Sequence, residues 1–105
     1  MSGMFLRADS FNQPLDKWNV SNVENMGDMF WSAISFNQPL DSWNVGNVKN
    51  MSHMFYDAKS FNQNLDSWNT RNVKIMRGMF VGSPLESKPP KWYDSSKSHI
   101  DVDGC

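Results

Sequence analysis

The hydrophobic and polar positions of this chain follow a pattern that repeats every 25 residues. The copies begin at Phe11, Phe36 and Phe61, each with the tripeptide Phe-Asn-Gln. The other apolar positions shared by all copies are Leu15/Leu40/Leu65, Trp18/Trp43/Trp68, Val23/Val48/Val73, Met26/Met51/Met76, Met29/Met54/Met79 and Phe30/Phe55/Phe80. A fixed period of roughly 20 to 50 residues is typical of proteins whose repeats stack on their neighbours. We therefore expect these positions to form a periodic core.

The apolar spacing inside one repeat changes along the repeat. Residues 17–21 contain a step of two residues, from Trp18 to Val20, which predicts a short strand. Residues 25–32 contain steps of three and four, which predict a short helix. Asn and Pro in the return loop at 10–14 are typical of turns. The pattern thus predicts an α/β repeat fold, a right-handed leucine-rich-repeat-like solenoid with one short parallel strand and one short helix per 25-residue coil.

The periodicity also predicts the organisation of the chain. It fails after Phe80, where Leu85 and Trp92 no longer keep the spacing of the repeat. We predict a partial N-terminal repeat at 1–10, solenoid repeats at 11–80, a C-terminal cap at 81–93 and a flexible tail at 94–105. No comparable cap precedes the first repeat. We expect this edge to be shielded by the first ten residues, paired with another molecule, or prone to self-association.

The repeat resembles a known family. The pattern L-x-x-W-x-V-x-x-V-x-x-M-x-x-M-F-x-x-A, at 15–33 and 40–58, is similar to the BspA-like surface repeat family, known in mycoplasmas and other bacteria as a lipoprotein-associated repeat domain of unknown function. It also resembles the treponemal leucine-rich repeat, with one residue fewer in the bend. The resemblance covers about residues 4–83. It implies a full-length protein at the cell surface or secreted, with adhesion to a host matrix or cell-surface protein in some members.

Charge and composition exclude several classes of function. The formal net charge of -1 argues against nucleic-acid binding, and no stretch approaches the roughly 20 apolar residues of a membrane span. The chain carries no apolar signal-peptide core. Its single cysteine, Cys105, permits no internal disulfide or cysteine-based metal site.

His53 and His99 do not recur with any nucleophile, so we predict no enzyme and no cofactor, and an exposed His53.

Several columns of polar and aromatic residues recur in every copy. We predict a buried hydrogen-bonded ladder along Asn22/Asn47/Asn72. The carboxylate column Asp16/Asp41/Asp66 is expected to cap local turns, with cation binding as the alternative. The Trp18/Trp43/Trp68 column is expected in the core rather than on a carbohydrate-stacking surface.

The positions at which the copies differ are the candidates for recognition. On the predicted strand face, together with the constant Asn column between them, the candidate partner-binding residues are Lys17, Asn19, Ser21, Ser42, Asn44, Gly46, Ser67, Asn69 and Arg71. On the helix side, Trp31 and Tyr56 extend an aromatic line, for which packing between helices is favoured over a partner contact. The sequence predicts a non-enzymatic protein-interaction or adhesion module, and the alternative is a structural spacer or stalk without a specific ligand.

Overall fold

A computed structural model describes residues 1–94, in which successive 25-residue coils lie on one another. Alternate backbone N–H groups of one coil donate to carbonyl oxygens of the next. The donors Met26, Asp28, Phe30 and Ser32 pair in this order with Asn50, Ser52, Met54 and Tyr56, at 2.7 to 2.9 Å. Equivalent backbone hydrogen bonds join residues 3–7 to residues 27–31 and residues 51–57 to residues 75–81. The 25-residue period of the sequence is therefore the repeat of these contacts.

Regular secondary structure is almost absent from the described residues. They contain one 3₁₀ helix, Pro84–Glu86, and two isolated parallel bridges, Asn25↔Asn50 and Asn50↔Ile75. Residues 1–94 hold no α-helix and no sheet. The predicted α/β solenoid with a strand and a helix in each coil is therefore wrong.

The segment predicted as a helix is a chain of tight turns. Each turn is closed by an N–H that donates three residues back, as from Met29 to Met26 at 3.3 Å and from Trp31 to Asp28 at 3.2 Å. Asp28 and Ser32 have φ values of 59° and 57°, in the left-handed region that interrupts a right-handed helix. Successive turns return every third or fourth side chain to the same side, so they reproduce the apolar spacing of a helix.

The segment predicted as a strand is also built from turns. N–H groups of Trp18 and Val23 donate to the carbonyls of Leu15 and Val20, both at 3.0 Å. On this side the coils are joined by side chains instead of a backbone ladder. The indole Nε1 of Trp43 donates to the Leu15 carbonyl at 2.8 Å. This bond recurs one coil later, from Trp68 to Leu40 at 2.8 Å.

Stacked phenylalanine rings run through the centre of the coils. The centroids of Phe30 and Phe55 are 5.4 Å apart, and those of Phe55 and Phe80 are 5.8 Å apart, with nearly parallel planes. Phe36 and Phe61 form a second column beside the first, and Phe61 lies 4.2 Å from Phe55. All five side chains are buried, together with the Met columns. The core positions expected from the period are therefore the ones that pack, apart from members in the first coil.

The chain after Phe80 lies on the last coil. Leu85 is buried in the 3₁₀ helix, and the indole of Trp92 stacks on Trp68 at 6.1 Å. The Trp92 Nε1 donates to the Leu65 carbonyl at 2.7 Å, as the tryptophans of earlier coils do. These contacts lie within residues 81–93, and the cap function predicted for this segment stays a prediction. Apart from its first residue, the predicted tail at 94–105 lies outside the described residues.

Candidate functional site

The predicted partner-binding asparagines close local turns with their side-chain oxygens. In each coil the Asn Oδ1 accepts a hydrogen bond from the backbone N–H two residues later. The pairs are Ser21 to Asn19 at 3.0 Å, Gly46 to Asn44 at 3.0 Å and Arg71 to Asn69 at 3.3 Å. This is the local turn that Asn side chains favour. The three residues are exposed as predicted, but their amide oxygens already have a structural role.

The predicted serines on the same face also bond within the protein. The hydroxyls of Ser42 and Ser67 donate to backbone carbonyls of the preceding coil, at Asp16 and Asp41, each at 3.2 Å. Lys17 and Arg71 are the cations of this face, and both are exposed. The structure therefore places the predicted residues along one side of the stack, with most of their polar groups engaged in turns and coil-to-coil contacts.

Two asparagine columns link neighbouring coils. The Nδ2 of Asn47 donates to the Ser21 carbonyl at 2.7 Å, and Asn72 repeats this bond to Gly46 at 2.7 Å. The ladder predicted at Asn22 and its copies therefore exists, but these side chains are exposed rather than buried. A second ladder was not predicted from the sequence. It runs through the Asn12 column, where the backbone N–H of Asn37 donates to Asn12 Oδ1 at 2.9 Å and that of Asn62 to Asn37 Oδ1 at 3.0 Å.

Within residues 1–94 the carboxylates of Asp16, Asp41 and Asp66 accept no hydrogen bond from an N–H of their own turn, so the expected turn capping is not found. The Asp66 carboxylate accepts a hydrogen bond from the Lys91 backbone N–H at 3.0 Å, across the contact with the C-terminal segment. Asp41 and Asp66 line one side of an open cleft of about 460 Å³, together with Gln63, Asn64 and Ser67. Within residues 1–94 no three His, Cys, Asp or Glu side chains converge as metal ligands.

A column of apolar residues faces outward on the opposite side of the coils. It contains one residue from each coil, Leu6, Trp31, Tyr56 and Val81, and we call it the turn-side stripe. Leu6 and Val81 are 47% and 39% exposed, whereas Trp31 and Tyr56 are half-buried. The rings of Trp31 and Tyr56 lie 4.7 Å apart. Leu6 and Trp31 line a shallow cleft of about 260 Å³ with Arg7 and Asp28.

His53 lies beside this stripe and is half-buried, so the prediction of an exposed side chain is wrong. Its ring is 5.2 Å from that of Trp31, and its Nδ1 is 3.7 Å from Asp28 Oδ1. On the other side it covers Gly78, where a Cβ would lie 2.7 Å from His53 Cδ2. Gly78 has a φ of 64°, which glycine adopts without strain. Glycine also lacks the Cβ that would collide with the imidazole of His53.

We expect His53 to make stability depend on pH. Burial lowers the pKa of His53, the Asp28 carboxylate raises it by a smaller amount, and Arg77 lowers it further. A histidine with a lowered folded-state pKa binds fewer protons when folded. Its contribution to stability is therefore complete above the unfolded value of about 6.5 and is lost as the pH falls through that value toward the folded one.

Urea unfolding at several pH values tests this effect against a His53→Asn variant. His53 has a φ of 54°, and Asn tolerates a positive φ. The unfolding midpoint of the parent protein should fall more steeply than that of the variant between about pH 7.5 and pH 5. Parallel decreases in the two proteins would show that His53 does not carry the dependence.

Comparison with known proteins identifies a matching family. A family model described as a Mycoplasma protein of unknown function, DUF285, matches residues 1–92. No curated protein and no solved structure matches the chain. In the described part of the chain, no helix is long and apolar enough to cross a membrane.

Proposed function

The chain belongs to the DUF285 family, a Mycoplasma family of unknown function, and we propose that it is a non-enzymatic protein-interaction module. The turn-side stripe carries this proposal. At this outward-facing position all four coils present an apolar residue, and two of the four are Trp31 and Tyr56. Tryptophan and tyrosine are enriched among the residues that dominate the energy of protein interfaces.

The charged surroundings of the turn-side stripe support this proposal. Charged side chains flank it, among them Arg7, Asp28, Asp57 and Arg77. An apolar centre with a polar rim is the usual anatomy of a protein-binding patch. The opposite face is less suited to recognition, because most of its Asn and Ser groups are engaged within the stack. We therefore assign binding to the turn-side stripe rather than to the face that the sequence favoured.

The likeness of the repeat motif to BspA-like surface repeats supports a proposal for the partner and for the location of the full-length protein. On this basis the partner is a host-matrix or cell-surface protein, and the full-length protein is exposed at the cell surface or secreted. The alternative is a spacer without a ligand. The many coil-to-coil hydrogen bonds of the constant Asn, Ser and Trp residues favour that alternative, because they stabilise stacking alone.

Binding to immobilised host extracellular-matrix proteins tests the proposal. A Trp31→Ser/Tyr56→Ser double variant should bind at least about tenfold more weakly than the parent, because it removes the aromatic centre of the patch. The matched control is Lys17→Ser/Arg71→Ser on the opposite face, which should bind as the parent does. Thermal unfolding of each variant separates loss of binding from loss of folding.

The outcomes distinguish the two functions. Loss of binding in the control variant but not in the stripe variant would show that the partner binds the face of Lys17 and Arg71, which was predicted from the sequence. A parent protein that binds none of the matrix proteins, under conditions in which it is folded, would favour the spacer.

A further inference from the structure

The N-terminal end of the stack exposes two apolar side chains, Met4 and Trp18, whose equivalents in the later coils are buried. We define this end by Ser2, Met4, Leu6, Trp18 and Asn22. Met4 is 52% exposed and Trp18 is 41% exposed. Their equivalents in the following coils are almost completely buried, and these are Met29, Met54, Met79, Trp43 and Trp68. The exposed apolar surface at this end is therefore one half of a contact that the molecule makes elsewhere.

The backbone at this end also presents half of a hydrogen-bonding pattern. The carbonyls of Gly27, Met29 and Trp31 accept N–H groups from the coil before them at 2.7 to 3.0 Å. The equivalent carbonyls one coil earlier belong to Ser2, Met4 and Leu6. Among residues 1–94 no N–H group donates to these three oxygens.

Side-chain donors at this end match the same pattern. Trp43 and Asn47 donate to the carbonyls of Leu15 and Ser21 in the coil before them. The equivalent donors, Trp18 Nε1 and Asn22 Nδ2, have no acceptor among the residues that the structure describes. A partner of this end must therefore place N–H donors opposite the three carbonyls on the turn side. It must also place carbonyl acceptors opposite Trp18 and Asn22 on the other side, at the spacing of the repeat.

We propose that the N-terminal end is a docking surface for one further 25-residue coil of the same repeat. The side of that coil that meets Trp18 must be free, and not covered as the last coil of this chain is covered by the segment after Phe80. Residues 26–50 show what such a coil offers. The N–H groups of Phe30 and Ser32 would meet the carbonyls of Met4 and Leu6. In the same coil, the carbonyls of Leu40 and Gly46 already accept the equivalent donors, which are Trp68 and Asn72.

The C-terminal end of a second copy of this chain does not provide this coil. Its Leu65 carbonyl is already bonded to Trp92, and its Gly82 N–H donates to the Glu86 carboxylate at 3.2 Å. Two N-terminal ends facing each other would oppose carbonyl oxygens with carbonyl oxygens. The uncapped coil is the partner that supplies both donors and acceptors in the required places.

The test inserts a second copy of residues 26–50 directly before Met1 of the full chain, which preserves the 25-residue register. The inserted coil should raise the melting temperature by more than about 5 °C, since each added coil contributes a new interface. It should also slow hydrogen exchange of the Trp18 indole N–H by at least about tenfold, because that group gains an acceptor. A Trp18→Phe version of the extended chain assigns the indole signal.

A 25-residue Gly-Ser segment inserted at the same point is the matched control and should change neither quantity. If the duplicated coil gives the same melting temperature and the same Trp18 exchange as the Gly-Ser control, the docking surface does not exist. This result is independent of the turn-side stripe, whose residues are unchanged in both extended chains.

Discussion

Replacement of Phe55 by alanine is expected to lower the free energy of unfolding by about 3–5 kcal/mol, the usual cost of deleting a buried phenyl ring. Phe55 is fully buried, is the middle ring of the column Phe30, Phe55 and Phe80, and lies beside the second column. Its ring contacts Phe61 at 4.2 Å, Phe30 at 5.4 Å and Phe80 at 5.8 Å. Neighbouring coils cannot close the cavity easily, because backbone hydrogen bonds set their separation. Urea unfolding followed by tryptophan fluorescence measures the loss.

Two further variants establish the reason for the effect. Phe55→Leu retains much of the volume and should cost less than Phe55→Ala. Phe11→Ala removes a ring that is only half-buried in the first coil, so it should also cost less. Equal losses for Phe11→Ala and Phe55→Ala would contradict a core centred on the inner coils.

Replacement of Trp92 by alanine is expected to cost about 2–3 kcal/mol, combining lost packing with an unsatisfied carbonyl. Trp92 stacks on Trp68 and lies 6.2 Å from Phe80. Its indole N–H is the partner of the Leu65 carbonyl. Its loss would leave the end of the core open to water. Thermal and urea unfolding measure the destabilisation.

Trp18→Ala is the matched control, because Trp18 occupies the equivalent position at the opposite end of the stack. It is 41% exposed, so its replacement should cost less than about 1 kcal/mol. Trp92→Phe separates the hydrogen bond from the packing. If Trp92→Ala were no more destabilising than Trp18→Ala, the C-terminal segment would not act as a cap.

The core could be predicted from the sequence because burial depends on periodic position. Phe30, Phe55 and Phe80 recur every 25 residues, and stacking equivalent residues is the simplest way to bury all of them. The spacing of 24 between Trp68 and Trp92 was a signal for the final member of the tryptophan column. The interval between Leu85 and Trp92 does not show this relation, because it is longer than the interval between Leu and Trp within a repeat.

The local backbone could not be predicted from the same pattern. The apolar steps of three and four between Met26 and Phe30 fit an α-helix and a series of tight turns equally well. Asp28 and His53 adopt positive φ, which their identities permit but do not require. The half-buried site of His53 was missed for a related reason, since its neighbours Asp28 and Gly78 lie in other coils.

The sequence by itself determined the period and most of the core positions, and it predicted one of the two Asn columns that join one coil to the next. Only the tertiary structure decided how the backbone closes each coil and which columns face solvent. The physical reason is that a repeat specifies which residues are equivalent, whereas the partners of each N–H group depend on the coil beside it. Alternate N–H groups at 26–32 bond to the next coil instead of to a helix of their own, and this arrangement turns Trp31 and Tyr56 outward.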